Sequence, residues 1–84
     1  MECYVYALSS EKESRIYVGL TKDVKQRLKE HNSGKSFSTK GYRPWKIFYI
    51  ERFNTLKDAR NREKKLKSGS GKEFLKQQLN RNRP

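Results

Sequence analysis

Five side chains in this sequence are of the types that cleave a phosphodiester bond. They are Tyr6, Tyr17, Arg27, His31 and Glu63. Such a reaction needs a base, charge neutralisation on the phosphate and help for the leaving oxygen. The planar fork of an arginine suits a phosphate, and one carboxylate can hold Mg²⁺ or Mn²⁺ together with several waters. A tyrosine beside a metal and an arginine can have its pKa lowered enough to help remove a proton from water.

The elements that must position these residues begin with a β-hairpin. Residues 3–8 and 15–19 are rich in Tyr, Val and Ile, which is typical of strands, and a polar loop at 9–14 joins them. A symmetric loop would place Tyr6 opposite Tyr17.

The first predicted helix begins at Thr21 or Asp23 and runs to about Asn32, with Gly34 just beyond its end. Its stripe at helical spacing turns toward the protein, and two of its four positions are polar. The stripe consists of Val24, Arg27, Leu28 and His31. A site at the junction of helix and sheet is therefore expected.

A polar, basic loop at 33–44 leads to a third strand at 45–53. Simple alternation predicts one face with Trp45, Ile47, Tyr49, Glu51 and Phe53, and another with Lys46, Phe48, Ile50 and Arg52. Trp45, Phe48 and Phe53 are expected in the core, with at most one free to stack on bases.

The second helix is predicted from Thr55 to about Ser68, with Glu63 on an inward stripe beside Leu56, Ala59 and Leu66. A short last helix, capped by Ser70, carries Phe74, Leu75 and Leu79. Residues 80–84 are predicted to be a basic C-terminal tail. This order of strands and helices therefore predicts a single domain at residues 1–79.

The charge of the chain favours a polyanionic partner. Its 84 residues carry 21 Lys and Arg against 9 Asp and Glu, net +12. Residues 52–84 alone carry eleven against three, net +8. Nucleic acid is the expected partner, and a membrane is not, because no basic face is paired with a strongly apolar one. No obligate protein partner is evident.

The start of the chain and its cysteine content predict a cytoplasmic protein. Met1-Glu2-Cys3 leads directly into a strand pattern without a secretory leader. A single cysteine excludes an internal disulfide, and one Cys with one His excludes a standard structural zinc site.

Four motifs resemble those of the GIY-YIG nuclease family. Tyr4-Val5-Tyr6 stands where the family has Gly-Ile-Tyr, and Tyr17-Val18-Gly19 where it has Tyr-Ile-Gly. The other two motifs are Arg27-x-x-x-His31-Asn32-x-Gly34 and Ala59-x-x-x-Glu63-x-x-x-Lys67. The resemblance extends over residues 3–79 and is closest to the small stand-alone bacterial members, which are mostly uncharacterised.

The resemblance implies an α+β fold, with a three-stranded antiparallel sheet flanked by helices, and hydrolysis of DNA with one divalent metal. By position, Tyr6 and Tyr17 would orient or deprotonate the attacking water. Arg27 would stabilise the phosphate, and Glu63 would bind Mg²⁺ or Mn²⁺. His31 would assist proton transfer. The glycine of the first motif is missing, and Asn80 is the candidate for a later family asparagine.

The predicted function is a small metal-dependent endonuclease, structure-selective and acting on DNA rather than RNA. The residues predicted to contact nucleic acid are Lys22, Lys35, Lys40, Arg43, Arg60, Lys64 and Lys67. One alternative is a nucleic-acid-binding module without useful catalysis. Another is a basic RNA-binding protein.

Each candidate residue also has a purely structural interpretation. The tyrosines could be ordinary sheet aromatics, Arg27 a solvated charge, and His31 a buried or capping histidine. Glu63 could be an intrahelical partner of Lys67 or Arg60. The catalytic interpretation predicts instead that the candidate residues line one concave, positively charged surface.

Overall fold

A computed structural model of the protein describes residues 2–81. Its elements in chain order are β1 Cys3–Ser10, β2 Ile16–Thr21, α1 Val24–Ser33, a 3₁₀ turn Lys40–Tyr42, β3 Trp45–Phe53, α2 Leu56–Leu66 and α3 Gly69–Arg81. The three strands form an antiparallel sheet in the order β2-β1-β3. This confirms the predicted α+β fold of a three-stranded antiparallel sheet flanked by helices.

The register of the hairpin differs from the prediction. Tyr6 lies opposite Gly19, and Tyr17 lies opposite Leu8. The predicted pairing of the two tyrosines is wrong because β1 continues to Ser10, whose N–H donates to the carbonyl of Arg15 at 3.0 Å. The loop is therefore centred later in the chain. The error is two residues, so both tyrosines still project from the same face of the sheet.

β3 contains a bulge that changes which of its residues share a face. Ala7 of β1 lies opposite Tyr49, but the next residue, Leu8, lies opposite Ile47. Phe48 is therefore an extra residue in β3, and one extra residue reverses the alternation of the strand. The predicted single face from position 45 to position 53 is wrong for this reason.

The sheet lies between two apolar layers. On the α1 side, Tyr6, Leu8 and Trp45 are buried, and the residues packed against them are Tyr17, Val24, Leu28, Tyr42 and Ile47. On the other side, strand residues pack with α2 and α3, and the buried members are Cys3, Val5, Ala7, Val18, Ala59, Leu66 and Leu75. The central strand β1 thus sends alternate side chains into each layer.

Local capping sets where α1 and α2 begin. Asp23 caps α1 by accepting from the N–H of Gln26 at 3.0 Å, and Gly34 ends the helix with φ of 86°. Thr55 caps α2 by accepting from the N–H of Asp58 at 3.2 Å. Both starts agree with the prediction, although α2 ends at Leu66, earlier than predicted.

The last helix is longer than predicted. α3 has 13 residues and begins at Gly69, so the N-terminal cap is Ser68, whose hydroxyl accepts from the N–H of Gly71 at 3.4 Å. The predicted cap at Ser70 is wrong. Asn80 and Arg81 form the last turn of α3, and the rest of the predicted tail, residues 82–84, lies outside the described residues.

None of the helices within residues 2–81 has both the length and the apolar character needed to cross a bilayer.

Candidate active site

A buried hydrogen bond between Tyr6 and His31 forms the centre of the candidate site. Tyr6 projects from the middle of β1 and is 1% exposed, and His31, near the end of α1, is 0% exposed. The Tyr6 hydroxyl and His31 Nε2 are 2.9 Å apart. The first helix and the first strand therefore meet at two titratable groups whose side chains are almost fully buried.

Thr39 holds the other side of the His31 ring. His31 Nδ1 lies 2.9 Å from the hydroxyl of Thr39, which itself donates to the carbonyl of Ser36 at 3.4 Å. With the Thr39 proton directed toward Ser36, the Thr39 oxygen can accept from His31 Nδ1. We therefore assign the proton of the neutral imidazole to Nδ1, which leaves Nε2 to accept from the Tyr6 hydroxyl.

The environment of this pair shifts both pKa values toward the neutral forms. Burial, and then the neighbouring Tyr17, raise the pKa of Tyr6 to about 12, and the charge of Arg27 offsets part of this rise. Burial also lowers the pKa of His31, and Arg27 lowers it further. Both groups are therefore neutral at pH 7. The surroundings of Tyr6 within the protein thus raise its pKa, whereas deprotonation of a water by this tyrosine would be helped by a lowered one.

Gly19 is where the Tyr6 ring crosses the neighbouring strand. A Cβ atom at this position would lie 2.6 Å from Tyr6 Cζ and would overlap the hydroxyl oxygen. Only a residue without a side chain leaves room for the ring. The glycine of the second motif is thus explained by the position of the tyrosine of the first.

Tyr17 packs edge-on against both buried rings. Its ring centre is 6.3 Å from that of Tyr6 and 4.7 Å from that of His31. Such T-shaped contacts are favourable because the positive edge of one ring meets the negative face of the other. Tyr17 is half-buried, so it lies between the buried pair and solvent.

Arg27 is half-buried on the same face of α1 as His31. Its side chain is 35% exposed, and its Nη1 donates to Glu30 at 2.8 Å. This hydrogen bond raises the pKa of Arg27 and lowers the pKa of Glu30. The guanidinium also acts on Tyr6 and His31 through its charge. Arg27 is therefore coupled to the site rather than a freely solvated charge.

Glu63 is half-buried and forms an ion pair within its own helix. Its side chain is only 24% exposed, and its carboxylate lies 3.3 Å from Lys67 Nζ, one turn later in α2. The intrahelical pair with Lys67 is therefore present. Burial and Tyr17 raise the pKa of Tyr6 most, and the negative charge of Glu63 makes the smallest contribution in the same direction, so the electrostatic link between α2 and the site is weak.

A single carboxylate is compatible with one Mg²⁺ or Mn²⁺. Within residues 2–81, no group of three or more His, Cys, Asp or Glu side chains is close enough to hold a metal together. Mg²⁺ commonly binds through one or two carboxylates and fills its other positions with waters and substrate phosphates. The half-buried carboxylate of Glu63 fits that mode, and we expect displacement of Lys67 Nζ when a cation binds.

The residues predicted to contact nucleic acid are all exposed: Lys22, Lys35, Lys40, Arg43, Arg60, Lys64 and Lys67. Among the aromatics considered for stacking, Trp45 is 5% exposed and donates its indole N–H to the carbonyl of Thr39 at 2.7 Å. Phe48 and Phe53 pack against the layer beneath α2 and α3. These three are therefore core residues.

Two residues that support the site, Thr39 and Asn32, could not be identified as such from the sequence. Thr39 carried no signal, because nothing in its polar loop predicts a buried hydroxyl. Asn32 lies in the α1 motif, and its side-chain amide pairs with the backbone of Trp45. Its Oδ1 accepts from the N–H at 2.7 Å, and its Nδ2 donates to the carbonyl at 3.1 Å.

The protein is an α+β domain in which a three-stranded antiparallel sheet packs Tyr6 against the inward-facing His31 of α1. The model of the GIY-YIG catalytic domain family matches residues 2–80. The chain belongs to this family, which acts on nucleic acid and generally has endonuclease activity.

Small proteins of the same kind are similar over most of the chain. A UPF0213 protein from Haloquadratum walsbyi is 39% identical over 66 residues, which is 77% of this chain and 73% of that protein. One from Staphylococcus saprophyticus is 35% identical over 74 residues, covering 87% and 89%. The solution NMR structure of a UPF0213 protein from Bacillus halodurans matches with a TM-score of 0.55 at 35% identity, covering 89% of this chain and 82% of that one.

Proposed function

We propose that this protein is a divalent-metal-dependent endonuclease that hydrolyses DNA phosphodiester bonds and is selective for DNA structure rather than sequence. The observation that carries the proposal is the buried hydrogen bond of 2.9 Å between Tyr6 and His31, with the charges of Arg27 and Glu63 both acting on Tyr6. We propose DNA over RNA as substrate, Mg²⁺ or Mn²⁺ as the cation and the cytoplasm as the compartment.

The proposed chemistry moves one proton inward along the buried hydrogen bond. As a water oxygen attacks phosphorus, the bond from phosphorus to the leaving sugar oxygen breaks, and this oxygen takes up a proton from solvent water. The proton of the attacking water passes to the Tyr6 oxygen, and the Tyr6 proton passes to His31 Nε2. Tyr6 therefore never has to carry a full negative charge in a buried position. Tyr17, at the outer edge of the pair, would orient the water.

Arg27 and Glu63 would act on the phosphate. Arg27 presents a planar fork that neutralises the charge of the attacked phosphate, and Glu30 fixes its orientation. Glu63 would hold the cation, which supplies further neutralisation of the developing charge when bound.

The first test is cleavage by two variants. Purified protein is incubated with nicked, branched and flapped DNA in the presence of Mg²⁺ or Mn²⁺. We expect wild type to cut at least one of these substrates, and Glu63→Gln and Arg27→Ala to lose about 10²-fold or more of the rate, as is usual when a transition-state charge stabiliser is removed.

Glu73→Gln is the matched control, because Glu73 is an exposed acid on α3, with 71% of its side chain accessible. It should cut like wild type. The proposal is wrong if no substrate is cut, or if the two site variants cut as fast as this control.

The second candidate is a nucleic-acid-binding module without useful catalysis. It is favoured by the pairing of Glu63 with Lys67 at 3.3 Å, which occupies the only proposed metal ligand. In that case binding would fall steeply with salt, and Glu63→Gln would leave affinity unchanged or improve it. A competition experiment between RNA and DNA duplexes would distinguish an RNA-binding protein from a DNA-binding one. Metal-dependent turnover that Glu63→Gln abolishes would exclude this candidate.

A further inference from the structure

Phe37 is an aromatic side chain that the fold leaves in water. It is 86% exposed, more than any other large hydrophobic residue that the structure describes. It lies in the loop of residues 33–44, between the end of α1 and the start of β3. A single exposed apolar residue is common on a protein surface, so its surroundings decide whether it has a role.

The backbone on both sides of Phe37 is held by hydrogen bonds. The N–H groups of Thr39 and Lys40 both donate to the carbonyl of Ser36, at 3.2 and 3.0 Å. The carbonyl of Thr39 accepts from the indole of Trp45 at 2.7 Å. The turn that carries Phe37 is therefore anchored to the core while the phenyl ring itself points out.

The same loop carries only positive charge. No Asp or Glu occurs between residues 31 and 50, whereas Lys35, Lys40, Arg43 and Lys46 do. Lys40 Nζ lies 5.2 Å from the centre of the Phe37 ring. An exposed aromatic face in a stretch of sequence that carries cations and no acid complements a base flanked by phosphates. An apolar protein surface without acidic residues would be a poorer partner. The lysines around Phe37 would lose their hydration on binding it and would gain no opposite charge.

The turn is also physically joined to the proposed active site. Thr39, two residues after Phe37, contacts His31 through its hydroxyl at 2.9 Å. Consecutive Cα atoms are about 3.8 Å apart, so the backbone of Phe37 lies within about 8 Å of that of Thr39. A nucleic-acid strand that reaches the proposed site beside His31 would therefore lie near the turn that carries Phe37.

We propose that Phe37 is a stacking platform for an unpaired base of a bound nucleic-acid strand, with Lys40 and Arg43 on the neighbouring phosphates. Inside a duplex both faces of a base are already stacked, so only a base in a flap, tail or frayed end can use the phenyl ring. This inference rests on the proposed function for the class of partner. It adds the structural reason for selectivity toward DNA that is not fully paired.

The test is a binding measurement that does not depend on cleavage. Fluorescence anisotropy in EDTA compares a fully paired duplex with the same duplex carrying a single-stranded tail. We expect Phe37→Ala to weaken binding to the tailed DNA by roughly 5- to 150-fold, the range for loss of one base–aromatic stack, and to leave duplex binding nearly unchanged. Phe37→Tyr should bind like wild type, because it keeps the ring.

Leu56→Ala is the matched control. Leu56 is an exposed apolar residue at the start of α2, at 43% exposure, in a different part of the surface, so its predicted place on the inward stripe is wrong. It should bind both DNAs like wild type. A tail containing 2-aminopurine gives a second readout, since stacking on Phe37 should quench its fluorescence with wild type and Phe37→Tyr but not with Phe37→Ala.

Three results would overturn the inference. Unchanged tail binding by Phe37→Ala would show that the ring has another role, such as a protein contact. Equal weakening on tailed and fully paired DNA would show that it does not read unpaired bases. Failure of wild type to bind either DNA would remove the proposed partner as well. Normal DNA binding without any cutting would instead count against the proposed catalysis alone.

Discussion

Tyr6 and Gly19 form a matched pair of residues on neighbouring strands. The ring of Tyr6 occupies the space where a side chain at position 19 would begin, and in this position its hydroxyl lies 2.9 Å from His31 Nε2. Position 19 therefore controls the geometry of the site without contributing a functional group. Their sequence separation gives no hint of this dependence, which appears only once the register places them opposite each other.

Gly19→Ala should displace the Tyr6 ring and break its hydrogen bond to His31. We expect a loss of about 1–3 kcal/mol in the free energy of unfolding, as for overpacking in a core, and loss of most DNA cleavage. Gly41→Ala is the control, because a Cβ at Gly41 would meet nothing within 4 Å. Urea unfolding and a cleavage assay on both variants decide the matter. Equal behaviour of the two would contradict the proposed dependence.

His31 should make the fold sensitive to acid. Its pKa is lowered from the usual 6.5 in the folded protein, chiefly by burial. Below pH 6.5 the unfolded chain therefore binds a proton at His31 more readily than the folded protein does. The free energy of unfolding consequently decreases as the pH falls from 6.5 through the pKa of His31 in the folded protein. Above pH 6.5 this group contributes no pH dependence.

The measurement is urea unfolding of wild type and His31→Gln at pH 7.5 and pH 5. We expect wild type to lose more stability between these pH values than His31→Gln, because the variant lacks the titrating ring. Groups that do not interact with His31 titrate alike in both proteins and cancel in the comparison. The same pH dependence in both proteins would argue against a buried, neutral His31.

At the scale of elements, helix patterns were more predictive than strand patterns. The stripe on α1 correctly turned Arg27 and His31 inward, because a helix has one rigid period and Asp23 and Gly34 mark its ends. The strands depend on register, which is set by the hairpin and by the bulge at Phe48. Neither has a local signal strong enough to fix it from one sequence.

Asn32 shows how an element boundary can be held by one side chain. Its amide makes two hydrogen bonds to the backbone of Trp45, at 2.7 and 3.1 Å, and so ties the end of α1 to the start of β3. The 33–44 loop, which begins and ends near these two residues, is thereby closed. Thr39 and its contact with His31 depend on this closure.

Asn32→Leu should leave a partly buried N–H and carbonyl of Trp45 without partners. We expect about 1–3 kcal/mol lower stability, together with lower activity through movement of Thr39. Asn61→Leu is the control, since it makes the same change at an exposed position of α2. Unfolding of both variants is followed by the fluorescence of the single tryptophan. A similar stability for the two would show that the amide bonds contribute little.

At the scale of the whole molecule, composition predicted the partner class more securely than it predicted the site. A net charge of +12 over 84 residues indicates a polyanion without any knowledge of the fold. The candidate site needed three further facts that composition does not contain: a register, a buried hydroxyl at Thr39, and the packing of α2 that lets Glu63 act on Tyr6. These are long-range arrangements, and a single sequence records them only indirectly.

The candidate site and most of the aliphatic core lie on opposite faces of the sheet. The α1 layer holds the Tyr6–His31 pair, and the layer under α2 and α3 holds most of the aliphatic core. Arg62 strengthens the second layer by donating from Nε to Glu51 at 2.8 Å. Its guanidinium also lies 5.4 Å from the ring centre of Phe74.

The bulge at Phe48 has an evolutionary consequence. It lets the start of β3 line the α1 layer, where Trp45 lies, while the rest of the strand lines the other layer. Single substitutions along this strand should change the structure only modestly. Gaining or losing one residue there would send half of the strand's side chains to the opposite layer. We therefore expect insertions and deletions to accumulate in the hairpin loop after Ser10, and the spacing between Trp45 and Tyr49 to be inherited unchanged.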